Sequence, residues 1–76
     1  MYNKNGDFMN DTNKLKIIRR EKGFTVYDMA KLLKITPSYY SQIENRKRRL
    51  FYDMAFKIAT IFNMKPDAIF YTKDNI

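Results

Sequence analysis

The stretch VYDMAKLLKITPSYYSQIEN, residues 26–45, decides the fold of this chain. It directly follows Thr25, and Asp28 stands three residues after that threonine, which is the spacing of a capping box at a helix N-terminus. An apolar stripe at helical spacing follows, made up of Met29, Ala30 and Leu33. The spacing predicts a short helix over residues 26–33 with one buried face.

The second half of the stretch begins with Thr36 and Pro37, an N-cap residue followed by a proline whose missing N–H costs nothing in a first helical turn. These residues predict a helix over residues 37–45, with Tyr40 and Ile43 facing the core. Its opposite face is polar and uncharged, and consists of Ser38, Ser41, Gln42 and Asn45. Such a face is either an ordinary solvated surface or one that can hydrogen-bond to base edges.

Two short helices separated by three or four residues have the dimensions of a helix-turn-helix, whose second helix lies in the major groove of DNA. Three further helices are predicted, at residues 13–22, at residues 51–62 and from Pro66 onward. Gly23 stands where the first of them needs a left-handed C-cap. The fourth helix carries an apolar stripe expected to face inward, namely Tyr52, Ala55, Ile58, Ala59 and Phe62.

The sequence therefore predicts an all-α protein with one compact domain of five helices over residues 13–76. Residues 1–12 are rich in Asn and Asp without periodicity, and we expect them to form a flexible N-terminal arm.

Composition limits the function classes. The 76 residues include 15 Lys and Arg against 8 Asp and Glu, a net charge of +7 that favours a polyanionic partner. The chain has no Cys and no His, so it has no thiol nucleophile, no usual zinc site and no histidine for acid–base catalysis. We expect no enzyme activity, no catalytic residue, no metal, no cofactor and no small-molecule ligand. No apolar run approaches the ~20 residues of a membrane span, so we expect a cytoplasmic protein that does not bind membranes.

Five segments together resemble the Cro and phage-repressor (XRE-like) helix-turn-helix DNA-binding family over roughly residues 15–70. They are LKIIRREKGFT (15–25), MAKLLKIT (29–36), PSYYSQIEN (37–45), KIATIF (57–62) and PDAIF (66–70). The resemblance implies a sequence-specific regulator of transcription that binds double-stranded DNA through its third helix. It also implies a homodimeric repressor or autoregulator on a palindromic operator, of bacterial, phage or mobile-element type, associated with the nucleoid when bound to DNA.

The same resemblance assigns residues to roles. The base-reading positions fall on Pro37, Ser38, Ser41 and Gln42. The phosphate contacts fall on Thr25, Tyr39, Asn45, Arg46, Lys47, Arg48 and Arg49. Tyr39 has an alternative role, packing over the second helix, and the basic run has the alternative of being simply solvated. A buried structural ion pair is implied between Arg19 and Glu44.

Departures from the family pattern affect the loops. Lys34 and Arg46 stand where glycine is common, so either these residues adopt left-handed backbone conformations or the loops differ.

Val26 replaces a glutamine that is frequent in the family, which removes one polar contact. This loss suggests the alternative function, a protein-interaction module such as an antirepressor or antitoxin with weak DNA binding and a regulatory protein partner.

The chain has more apolar residues than such a core needs, among them Ile17, Leu32, Phe51, Ile61 and Tyr71. On a small domain this excess suggests an interface. We expect a dimer surface on the fourth and fifth helices, made up of Ile61, Met64, Ile69, Phe70 and Tyr71. Simple core filling is the alternative for these residues.

Overall fold

A computed structural model of the chain describes residues 12–70, which form five α-helices and no strand. The helices are α1 (Thr12–Glu21), α2 (Val26–Leu33), α3 (Pro37–Glu44), α4 (Tyr52–Ile61) and α5 (Pro66–Phe70). The predicted all-α fold is confirmed, and α2 has the predicted bounds. Helix α1 starts and ends one residue earlier than predicted, α3 ends one residue earlier, and α4 is one residue shorter at each end. The expected N-terminal arm lies outside the described residues apart from Thr12, which begins α1. Tyr71, expected at the dimer surface, also lies outside them.

Local hydrogen bonds fix where the two central helices begin. The Thr25 hydroxyl accepts the N–H of Asp28 at 3.0 Å, and the Asp28 carboxylate accepts the N–H of Thr25 at 2.9 Å, which completes the capping box. The same bond from the Thr25 N–H lowers the pKa of Asp28. At the start of α3, the Thr36 hydroxyl accepts the N–H of Tyr39 at 3.0 Å. Both helix starts are therefore encoded locally.

A residue with left-handed backbone conformation follows each of the first four helices. Gly23, with φ of 84°, follows α1 as expected for a glycine C-cap. Lys34 and Arg46 adopt φ of 59° and 60°, so the chain keeps the left-handed turns without glycine. Asn63 does the same after α4, with φ of 56°. A left-handed conformation at a residue with a Cβ is disfavoured, and at Lys34 and Arg46 backbone hydrogen bonds that close the turn hold it in place, from the Ile35 N–H to the Ala30 oxygen at 3.0 Å and from the Lys47 N–H to the Gln42 oxygen at 2.8 Å.

The core is continuous and draws on all five helices. Its completely buried side chains include Leu15, Met29, Tyr40, Ile58, Phe62 and Phe70. Leu50 is completely buried as well, although it directly follows four cationic residues that we expected to lie in an exposed segment. The chain therefore re-enters the core immediately after the basic run, which anchors that run at its C-terminal end.

Two expectations for the apolar residues were wrong. Tyr52 was expected to face inward from α4, but it is 42% exposed because it lies on the outer side of the first turn. Ile69 and Phe70 were assigned to a dimer surface, but both are 0% exposed because α5 packs them against α1 and α4. Within the described part of the chain, Ile61 and Met64 are the residues of the expected dimer surface that keep some exposed area, and both are half-buried.

Candidate nucleic-acid interface

Helix α3 is held in the domain by one face only. Tyr40 and Ile43 are buried against the core, while Pro37 and Ser38 at the start of the helix are exposed. Ser41 and Gln42 are half-buried on the same polar side. The four residues expected to read bases therefore all retain surface at the protein exterior.

Hydrogen bonds along α3 order its polar face. The Gln42 side-chain amide donates to the Ser38 hydroxyl at 3.2 Å. The Asn45 side-chain amide donates to the backbone oxygen of Ser41 at 2.9 Å and to its hydroxyl at 3.2 Å. Donors and acceptors thus stand in a row with restricted rotamers, which reduces the entropy lost when such side chains bind a partner.

The basic segment folds back onto the end of α3. The Lys47 N–H donates to the backbone oxygen of Gln42 at 2.8 Å, and the Arg46 N–H donates to that of Ile43 at 3.2 Å. Arg46, Lys47, Arg48 and Arg49 are all exposed. Four cationic side chains therefore lie next to the polar face of α3, as a DNA-reading helix with neighbouring phosphate contacts requires.

Tyr39 has a position that the sequence left open. Its ring is half-buried and packs against the core, and the Arg48 guanidinium carbon lies 4.3 Å from the ring centroid. This distance is within the range of a cation–π interaction. The contact joins residues nine positions apart, and neither helical periodicity nor a motif indicates it in the sequence.

An ion pair between Arg19 and Glu44 ties α1 to the end of α3. The Arg19 Nε donates to Glu44 Oε2 at 2.6 Å, and Nη2 donates to Oε1 at 3.1 Å. The remaining Arg19 nitrogen, Nη1, donates to the backbone oxygen of Phe24 at 2.8 Å. Both side chains are buried, with 8% and 4% exposed, and the bond to Glu44 raises the pKa of Arg19. The pair holds the C-terminal end of α3 in a fixed place relative to α1.

The Tyr40 hydroxyl lies beside this ion pair. It is buried and has no hydrogen-bond partner of good geometry among the described residues. Burial and the nearby negative charge of Glu44 raise the pKa of Tyr40 well above its ordinary value of 10.0. The phenol is therefore held neutral.

The described residues contain no cluster of carboxylates able to hold a metal ion. None of the described helices is long and apolar enough to cross a membrane.

Comparisons with known proteins agree with this geometry. The profile of the helix-turn-helix family matches residues 15–69, so the chain belongs to that family. A 63-residue segment is 32% identical to the HTH-type transcriptional regulator RamB of Mycobacterium tuberculosis, in two strains. That segment is 83% of this chain but only 13% of RamB. The family resemblance inferred from the sequence is confirmed.

A solved structure shows the same fold. It is the clp gene regulator ClgR of Corynebacterium glutamicum, which superposes with a TM-score of 0.72 at 17% sequence identity. The superposition covers 76% of this chain and 62% of ClgR. At this identity the similarity extends to the fold alone.

Proposed function

We propose that the chain is a transcriptional regulator that binds double-stranded DNA through α3. The observation that carries the proposal is the exposed polar face of α3 beside four exposed cations, in a chain of the helix-turn-helix family. Gln42 can pair bidentately with adenine, and the serines can bond to several bases. Each good pair of this kind contributes roughly 1–3 kcal/mol of discrimination.

The backbone contacts come from two places around α3. Arg46 to Arg49 supply cations at its C-terminal end, and Asn45 adds an exposed amide. Thr25 lies at the N-terminus of α2, where N–H groups and the positive end of the helix dipole favour a phosphate. These contacts fix the position of α3 on the duplex but carry no sequence information.

The regulator acts as a homodimer on a palindromic operator, as a repressor or autoregulator. One domain of this size contacts too little DNA to be highly specific, whereas two copies read two half-sites about one helical turn apart. Exposed apolar side chains support an interface between copies, because Ile17, Leu32 and Phe51 are each more than half exposed.

Mapping by NMR tests the DNA interface. We would titrate the ¹⁵N-labelled chain with a 20-base-pair duplex of random sequence at low and at physiological salt. The expected result is perturbation of amides in residues 37–49 and at Thr25, with α1 and α5 unchanged. Absence of binding at low salt, or perturbation elsewhere, would contradict the proposal. Binding to this duplex that is lost at physiological salt, together with no sequence preference in selection from a random pool, would favour the protein-interaction module instead.

A further inference from the structure

The outer face of α4 is apolar and exposed. Phe56 is 53% exposed, and its ring stacks on Tyr52 with 6.2 Å between the ring centroids. The Thr60 hydroxyl donates to the backbone oxygen of Phe56 at 2.8 Å, so its hydrogen-bonding capacity is partly used within the helix. Phe56 therefore projects as a ridge on this face, with Tyr52 one helical turn before it and Thr60 one turn after it.

A groove runs beside this ridge, between α4 and the end of α2. It has a volume of about 450 Å³ and is lined by Leu32, Leu33, Lys34, Phe56, Lys57, Thr60 and Ile61. Leu32 is 54% exposed at its edge. An apolar ridge and an apolar groove therefore lie side by side on one surface. This arrangement meets the condition for self-association about a two-fold axis, in which one patch must supply both a projecting group and the depression that receives the partner's.

Charge decides between a second copy and other occupants. Asp53 and Lys57 border the same depression as Tyr52 and Phe56, and they carry opposite charges one helical turn apart. If two α4 helices pack antiparallel about an axis level with the midpoint between Asp53 and Lys57, next to Phe56, each Asp53 lies opposite the partner's Lys57, and like charges lie a full turn, about 6 Å, apart along the helix. Both contacts are attractive. The face is thus complementary to itself in charge as well as in shape.

We propose that the α4 face formed by Leu32, Tyr52, Asp53, Phe56, Lys57 and Ile61 is the surface on which a second copy of this chain docks. The inference rests on the dimeric state proposed above and gives it a location. It retains Ile61 from the sequence-based expectation and replaces the buried Ile69 and Phe70 by the exposed Phe56. The recognition face of α3 takes no part in this contact.

Charge reversal tests the two-fold pairing directly. In Asp53→Lys, the residue at position 53 faces the partner's Lys57 with like charge at two symmetric places. In Lys57→Glu, two acidic side chains meet in the same way. Sedimentation equilibrium without DNA at low salt should show a reversible dimer for the unaltered chain and at least about tenfold weaker dimerisation for each variant. An equimolar mixture of the two variants should dimerise again, because both contacts become attractive in the heterodimer.

Matched controls make the test specific. Glu21→Lys and Lys22→Glu introduce the same charge changes at exposed positions near the end of α1, and they should leave dimerisation unchanged. Phe56→Glu should abolish the dimer while the circular dichroism remains helical. The circular dichroism spectra of Asp53→Lys and Lys57→Glu, each compared with that of the unaltered chain, verify that these two variants are folded.

Three results would overturn the proposal. They are an unaltered chain that stays monomeric to millimolar concentration, single variants that dimerise as well as the controls, and a mixture that does not recover. A monomer whose Phe56 amide shifts with an acidic amphipathic peptide would assign the face to a different partner. Each variant is also titrated with duplex DNA at low salt. Retained DNA binding with no dimer would refute this interface alone, whereas absent DNA binding with an intact dimer would refute the proposed function alone.

Discussion

At the residue scale, the ion pair between Arg19 and Glu44 is the most consequential polar contact in the described part of the chain. Two charges lie almost entirely out of water, and each is stable there only because the other is present. Such a pair adds little net stability compared with an apolar pair of the same volume, but its rupture leaves an isolated buried charge. Its value here is positional, because it fixes the end of α3.

We therefore expect Glu44→Ala to cost roughly 3–5 kcal/mol of unfolding free energy, measured by urea denaturation. This is a large part of the roughly 4–11 kcal/mol typical of a domain of this size. DNA affinity should fall with it. The double variant Arg19→Met with Glu44→Leu should lose much less than the sum of the single losses. An unchanged melting temperature for Glu44→Ala would exclude a structural role for the pair.

Because the Tyr40 hydroxyl is buried, we expect the unfolding free energy of the domain to decrease with pH in the alkaline range. Because the folded state raises the pKa of this phenol, the unfolded chain releases the proton at a lower pH than the folded chain does. The stability contribution is therefore complete below pH 10 and falls as the pH rises above it. Tyr40→Phe should flatten the loss of stability between pH 9.5 and 11. Near pH 7 it should change stability by at most about 1 kcal/mol, because the hydroxyl has no good partner to lose. Equal pH slopes for the two chains would contradict this explanation.

At the element scale, α3 and residues 45–49 act as one unit. The backbone bond from Lys47 to Gln42 places the basic segment against the helix that carries the polar face. If these cations contact phosphates, neutralising one of them should flatten the slope of log affinity against log salt by about 0.9. We expect this for Lys47→Gln. Lys22→Gln, at an exposed position after α1, serves as the charge-matched control. Identical slopes for the two variants would remove Lys47 from the contacts.

Tyr39 and Arg48 allow the two roles of the tyrosine to be separated. If the ring positions Arg48, then Tyr39→Phe keeps the contact and should leave DNA affinity within about twofold of the unaltered chain, whereas Tyr39→Leu should weaken binding as much as Arg48→Gln does. If the hydroxyl instead bonds to a phosphate, Tyr39→Phe should lose about as much affinity as Tyr39→Leu. Fluorescence anisotropy with one duplex at fixed salt measures both variants.

The elements also differ in how well the sequence predicts them. The starts of α2 and α3 are predictable because caps are local: Thr25 with Asp28, and Thr36 with Pro37, are decided within four residues. By contrast, the local sequence does not predict which residues are buried where the chain turns or where a short helix packs. No local pattern indicated that Leu50 is buried directly after the basic run, and for Ile69 both an interface and the core were open, because the burial of each depends on which distant helix packs against it. The contact of Arg48 with Tyr39 likewise depends on the tertiary structure, so two roles for the tyrosine were compatible with the sequence and no local pattern distinguished them.

At the scale of the whole molecule, the described fold separates two surfaces. The polar face of α3 with its basic extension suits DNA, and the apolar face of α4 suits a second copy. A helix-turn-helix domain that carries both can read two half-sites while each copy contributes one α3. The net charge of +7 speeds encounter with DNA but supplies no specificity.

The central claim is that α3 reads DNA sequence, and selection of bound duplexes from a random pool at physiological salt tests it most directly. The unaltered chain and Gln42→Ala are selected in parallel. We expect a palindrome with half-site centres about 10–11 base pairs apart, and loss of preference in the variant at one symmetric pair of positions only. A pool without any enriched motif, or an identical motif from both proteins, would contradict the assignment of sequence reading to this helix face.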